Sequence, residues 1–181
     1  MPIVQNRRNI PSCARTHSAA TLCAAFLLLT AATIEAQSGG LDARVRILED
    51  KEQIAQVLID YGRHLDSRNL AAYASLFADD GEWVGGFGTV KGRANIQAFM
   101  EKNMGTAPNK GGNYHIMSNF AITVSGDTAT AWSRWAFVVP GQSGAVISQA
   151  GRYDDTFVRE KGAWKFRRRV ASNDTAPPGQ K

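Results

Sequence analysis

Two residues far apart in the chain have the right types to exchange a proton with a substrate. Asp66 ends the run Ile54–Asp66, IAQVLIDYGRHLD, and His115 closes Asn113-Tyr114-His115. An imidazole titrates near neutral pH, and a carboxylate bonded to one ring nitrogen fixes the tautomer and leaves the other nitrogen free as a base. If Asp66 and His115 meet in an apolar hollow, they form an acid–base pair. A third candidate is Tyr61, whose phenol can donate a hydrogen bond to an oxygen that gains negative charge. Each has a plainer reading beside this one. Asp66 can cap the helix that follows it, His115 can be a structural histidine in a strand, and Tyr61 a core aromatic with its hydroxyl satisfied. Spacing alone balances the two readings for Asp66 and favours the plainer one for His115 and Tyr61.

The elements that must position these groups follow from hydrophobic period. Leu41, Val45, Leu48, Ile54, Val57, Leu58, Tyr61 and Leu65 form one helical stripe, with charges on the opposite face. Asp66 shares a face with Ile59 and Gly62, which directs its carboxylate toward packing, with room left beside the glycine. Tyr61 and Asp66 lie five positions apart, so both face one cavity only by flanking its opening. Asp66-Ser67-Arg68-Asn69 breaks the pattern before a second helix over Leu70–Phe77. Ala78-Asp79-Asp80-Gly81 reads as a turn, and Glu82–Val84 and Thr89–Val90 as short strands around Gly85–Gly88. Arg93–Met104 is a third helix with Ile96, Phe99 and Met100 inward. Then the period changes to two: Tyr114–Val124, Thr128–Val139, Ala145–Arg159 and Trp164–Ser172 are long strands joined by hairpin connectors. Alternation puts His115, Met117 and Asn119 on one face of the first of these. Helices first and strands afterwards define an α+β chain. The expected shape is a cone: a curved antiparallel sheet with three N-terminal helices on its concave side, enclosing a pocket. Trp83, Phe87, Phe99, Met117, Trp135 and Tyr153 are its candidate lining.

Of the 181 residues, the first 36 read as a secretory signal peptide: Arg7, Arg8 and Arg15 precede the apolar run Ala19–Leu29, and Ala36 stands at the cut. The expected product is secreted or periplasmic, with no membrane attachment after processing. Its 145 residues suit one domain, and both cysteines, Cys13 and Cys23, leave with the leader. The net charge of +5 falls to +3, since the leader holds three Arg and one Glu. That is too mild for nucleic-acid binding, and the cluster Arg167-Arg168-Arg169 reads as the solvated face of a strand. Arg134, between Trp132 and Trp135, points outward or serves an anion. With only His64 and His115 left and no metal-ligand spacing, neither a metal nor a cofactor is expected. Ser38-Gly39-Gly40 reads as a flexible link and Asn173–Lys181 as a loose tail. Leu41, Val45, Leu48 and the strand aromatics, Trp132 among them, suit a homodimer or higher oligomer.

Several of these stretches are similar to a known family. Leu58–Leu70, then Leu76-Phe77-Ala78-Asp79-Asp80-Gly81, Asn113-Tyr114-His115, Gly151-Arg152-Tyr153 and Gly162-Ala163-Trp164-Lys165-Phe166 resemble SnoaL-like domains of the nuclear-transport-factor-2-like superfamily. The resemblance places such a domain over residues 37–172 and implies the cone-shaped, cystatin-like roll. It extends to scytalone dehydratase and the bile-acid 7α-dehydratases, where Asp66 and His115 match the helix aspartate and strand histidine, and Tyr61 matches a tyrosine used in the bile-acid group. Two departures imply a substrate other than scytalone: Trp135–Val139 holds no second histidine, and Gly151 and Tyr153 stand near the serine and asparagine positions. The expected function is a cofactor-free lyase or isomerase acting on a small cyclic, largely apolar ketone or enone. A binding or carrier protein using the same pocket without chemistry, and an oligomerisation domain, are the alternatives.

Overall fold

The computed structural model describes residues 18–174, with side chains from Gly40 onward. Its elements are α1 (Ser18–Ser67), α2 (Leu70–Ser75), β1 (Phe77–Gly85), β2 (Gly88–Lys91), α3 (Arg93–Met104), β3 (Tyr114–Ser125), β4 (Thr128–Gly141), β5 (Gly144–Glu160) and β6 (Ala163–Asn173). Ser38-Gly39-Gly40, expected as a link, lies within α1: glycine costs a helix about 1 kcal/mol per residue but does not forbid it. The expected leader lies outside the described residues up to position 17, and beyond that only its helical backbone is described. Residues 175–181 of the expected tail are also outside them. Among the described residues no helix is long and apolar enough to cross a membrane.

The chain divides into two units between Val45 and Arg46. The first, among its described residues, is the N-terminal part of α1, where Leu41 and Val45 are exposed. The second holds everything that builds a core. There the α1 stripe turns inward: Ile54, Leu58, Tyr61 and Leu65 are buried, and they meet Leu70 and Tyr73 of α2 and Ile96 and Met100 of α3. Burial of this kind contributes about 1.5–3 kcal/mol per large apolar side chain, which makes this face, and not helix propensity, the reason the helices dock.

The helices pack on a six-stranded, curved, unclosed sheet in the order β2-β1-β6-β5-β4-β3. It is mixed where an antiparallel sheet was expected, because β1 runs parallel to β6. The expected turn at Ala78–Gly81 lies inside β1 for the same reason. The register jumps from Phe77↔Phe166 to Glu82↔Arg168, and the intervening polar residues bulge outward. Asp80 reaches Arg167 at 2.7 Å and Asp79 reaches Arg93 at 2.8 Å. Gly81 is needed there, since a Cβ would come within 2.8 Å of the Phe166 carbonyl oxygen. With Phe77 in the strand, α2 ends earlier than its apolar pattern suggests.

Two further bulges change which side chains face the core. Between Ser118 and Ala121 the pairing of β3 with β4 slips, with Asn119 at φ 57°. His115 and Met117 face inward as alternation requires, but Asn119 turns to solvent, and Phe120, Ile122 and Val124 take over the inner face. In β6 the pairing steps from Phe157↔Phe166 to Thr156↔Arg168, so Arg167 is the extra residue. The phase resets after it. Arg169, expected on a solvated face, is fully buried.

Candidate active site

The last turn of α1 carries the carboxylate of the site. Arg68 adopts φ 60°, its guanidinium donates to the Leu65 carbonyl at 2.6 Å, and the helix stops. Capping of α2 falls to Asn69, whose side chain accepts from the Ala72 N–H at 3.2 Å. Asp66 is therefore free of that duty, and its carboxylate goes to β3 instead. Oδ2 accepts the backbone N–H of His115 at 2.8 Å, and Oδ1 lies 2.6 Å from the ring Nδ1. Both side chains are largely withdrawn from water, at 11 % exposure for His115 and 19 % for Asp66. Gly62 permits the approach: a Cβ there would meet Met117 Cγ at 3.2 Å and His115 Cβ at 3.6 Å. Ile59, expected to share the inward face, is exposed. With Nδ1–H directed at the carboxylate, Nε2 is the ring nitrogen left to accept a proton.

His115 lines a cavity of about 490 Å³. Its ring packs on Phe137, with centroids 4.8 Å apart, and near Trp135 at 6.4 Å. Leu65, Met100 and Met104 continue the apolar wall, and Gln149 and Asn173 add polar atoms. Tyr61, Trp83, Trp135 and Tyr153 line it as the sequence indicates, and so does Phe87, which is 72 % exposed. Phe99 and Met117 do not. Phe99 stacks behind Trp83 at 5.7 Å, and Met117 is taken up by the space at Gly62. Asp66 stands behind the imidazole, outside the lining.

Tyr61 is 2 % exposed, and its hydroxyl oxygen accepts from the Tyr73 hydroxyl at 3.0 Å and from Trp83 Nε1 at 3.1 Å. Burial pushes the phenols of Tyr73 and Tyr153 well above the ordinary value of 10.0, so both remain protonated. Behind the tyrosines lies a buried ion pair that the sequence reading missed. Arg169 Nε and Nη2 donate to the two Asp155 oxygens at 2.8 and 2.7 Å, and neither side chain is exposed to solvent. Burial works against the guanidinium charge, but the Asp155 carboxylate outweighs it and holds the pKa above its ordinary value. The signal for Asp155 was present, because it alternates with the inward Tyr153 and Phe157. The signal for Arg169 was hidden by the Arg167 bulge.

At the outer end, Asp174 accepts from Arg134 and, at 2.6 Å, from Arg152. Arg134 therefore points outward, 5.3 Å above the Trp132 ring. The start of the expected loose tail is tied down, since Asn173 closes β6. Among the described residues no three His, Cys, Asp or Glu side chains cluster as a metal site requires.

Comparison with known proteins agrees with this architecture. An uncharacterized protein of Mycobacterium tuberculosis, Rv2910c, is 30% identical over 129 residues, covering 68% of this chain and 84% of the relative. A crystal structure of an NTF2-like protein with a cystatin-like fold from Novosphingobium aromaticivorans superposes with a TM-score of 0.68 at 32% identity, covering 76% of this chain and 90% of that one. A second structure from the same organism, provisionally described as a scytalone dehydratase, gives a TM-score of 0.58 at 26% identity over 74% of this chain and 96% of its own. The SnoaL-like family model matches residues 46–170. That family and its fold include polyketide cyclases and dehydratases or isomerases, and the fold typically binds small molecules. An inward α1 face, a curved mixed sheet and a cavity lined from both, together with that match over most of its length, make this chain a member of the SnoaL-like domain family.

Proposed function

We propose that this protein is a cofactor-free lyase or isomerase that moves a proton on a small cyclic, largely apolar ketone or enone. The observation that carries the reading is the two-point hold of Asp66 on His115, at 2.8 Å to the backbone N–H and 2.6 Å to the ring, with the imidazole lining an apolar cavity. His115 Nε2 removes a proton next to the carbonyl; Asp66 keeps the ring oriented and stabilises the imidazolium. The electron pair of the broken C–H bond passes into the carbonyl, whose oxygen gains charge and is met by Tyr61. In a dehydration the pair then expels a hydroxide, which takes the proton back from the imidazolium as it leaves. In an isomerisation the proton returns to a different carbon. Acid–base catalysis of this kind contributes about 10²- to 10⁴-fold, so electrostatic support of the oxygen supplies much of the remainder.

The first step is tested without knowing the final product. A panel of cyclic ketones and enones is incubated with the protein in heavy water, and exchange at the carbon beside the carbonyl is followed by NMR. The wild type exchanges at least one of them, and Asp66→Asn and His115→Ala lose the exchange while circular dichroism stays unchanged. Tight binding with no exchange for any member identifies a carrier instead. The apolar groups Leu48, Tyr114, Ile116 and Ile147 are exposed, which supports our inference that the chain associates with a second copy; a monomer in sedimentation excludes it. We also propose export behind a cleaved leader, on the charge and apolar pattern of residues 1–36. An intact N-terminus in the mass spectrum of the exported protein excludes cleavage.

A further inference from the structure

Arg169 is an unusual neighbour for a cavity described as apolar. Its Cζ lies 3.9 Å from the ring centroid of Tyr61, 3.9 Å from that of Tyr153 and 4.3 Å from that of Phe166. The guanidinium is thus held among aromatic faces, two of which belong to residues that line the cavity. Nε and Nη2 are used by Asp155, while Nη1 has no hydrogen-bond partner among the described residues. A cation against the face of a phenol draws electron density from the ring, and the contact is stronger where water does not screen it. The O–H of that phenol becomes a stronger donor as a result. The same cation opposes the rise in the Tyr153 pKa that burial causes.

Tyr61 is polarised from the other side too. Its oxygen accepts the Tyr73 hydroxyl and the Trp83 indole N–H, and its side chain is also hydrogen-bonded with Tyr153, so one proton of that Tyr61–Tyr153 pair is left to give. Hydrogen bonds received strengthen the one donated. The polar edge of the cavity therefore combines two phenols with a permanent positive charge that solvent does not reach.

We infer that Arg169 is a positioning residue that acts through the Tyr61 and Tyr153 rings and makes this end of the cavity an oxyanion site, whose preferred ligands are conjugated or aromatic alcohols bound as their anions. A phenolate and the dienolate of a cyclic enone share this chemistry: a flat apolar ring with one charged oxygen. The inference rests on the proton-transfer reading for its catalytic meaning, but binding of a phenolate is measured without turnover.

The probe is 4-nitrophenol, whose absorbance reports its ionisation when bound. Titrated in the presence of excess folded protein, it should ionise about one pH unit or more below its free value, equivalent to phenolate binding about tenfold tighter than phenol. Tyr61→Phe should lose most of that preference. The double variant Arg169→Met/Asp155→Leu, which removes both buried charges together, should lose it as well. If circular dichroism shows the double variant unfolded, Arg169→Lys decides, because an ammonium keeps the charge but cannot lie flat between two rings; a loss of roughly threefold is expected. His115→Ala should keep the preference while losing proton exchange. Equal binding of phenol and phenolate by the wild type overturns the inference. So does full preference in the folded Arg169 variant, or loss of preference in His115→Ala, which would assign the effect to the imidazole. Proton exchange that survives in His115→Ala sinks the proton-transfer reading instead and leaves the oxyanion site standing.

Discussion

Replacing Asp155 by alanine isolates the energetics of the buried ion pair. In the native protein Arg169 makes two charge-assisted hydrogen bonds to that carboxylate, at 2.8 and 2.7 Å, with both side chains fully out of water. Each such bond contributes about 1.5–3 kcal/mol. The larger effect is what remains: a guanidinium in the core with no anion and a cavity where the carboxylate stood. Breaking a buried pair from one side costs about 3–5 kcal/mol. The contacts of Arg169 with Tyr61, Tyr153 and Phe166 do not offset this, because they are present before and after. Against a total stability of about 5–15 kcal/mol for a domain, a loss of about 3–5 kcal/mol takes from about a fifth to all of the margin. Equilibrium unfolding in urea measures it, and the midpoint should fall with an unchanged slope. In the double variant Asp155→Leu/Arg169→Met, most of the loss should return, since similar-volume apolar replacements of both partners are about neutral or stabilising. A drop of less than about 1 kcal/mol for Asp155→Ala would show that water reaches the guanidinium, and the description of a dry cation behind the tyrosines would be wrong.

Asp50 accepts from Arg159 at 2.6 Å and from Trp164 Nε1 at 3.1 Å. Burial raises its carboxyl pKa, but these bonds outweigh that and leave it below the ordinary value. Its contribution to stability is therefore complete above the unfolded carboxylate value and is lost as the pH falls through the lower folded one; Asp50→Asn should flatten the acid limb of the stability curve. Gly151→Ala should lower the thermal midpoint, by the equivalent of about 1–3 kcal/mol or more, because a Cβ would stand 2.0 Å from the Ser172 carbonyl oxygen and 2.9 Å from the Trp135 ring. Phe87→Ala should weaken binding of apolar ligands at the cavity mouth and leave stability within about 0.5 kcal/mol, as calorimetry and thermal unfolding can check.

Much of this molecule is legible along the chain, where the physics is local. The period of apolar residues from Ile54 to Leu65 fixes a helix and its inward face, and the third helix falls on Arg93–Met104 as its pattern requires. The four long strands run within a residue or two of their turn signals, because Gly and Pro act on the backbone at their own positions. The residue types at positions 66 and 115 already named the chemistry they are suited to.

Pairing between distant segments decided the rest. Which strand meets β1 depends on contacts between Phe77 and Phe166, so the sheet is mixed although nothing nearby in the chain says so. Single extra residues at Asn119 and Arg167 invert the alternation beyond them, because side chains alternate with a period of two and one inserted residue exchanges the faces. Alternation carried through Arg167 places Arg169 in solvent, and the bulge places it in the core against Tyr61 and Tyr153. Whether Asp66 caps a helix or holds an imidazole was also settled only in three dimensions, where Asn69 took the cap and β3 brought His115 within reach. Sequence supplies the groups and their local directions; the close packing of segments that are far apart in the chain decides which groups share a dry space, and there electrostatics is strong.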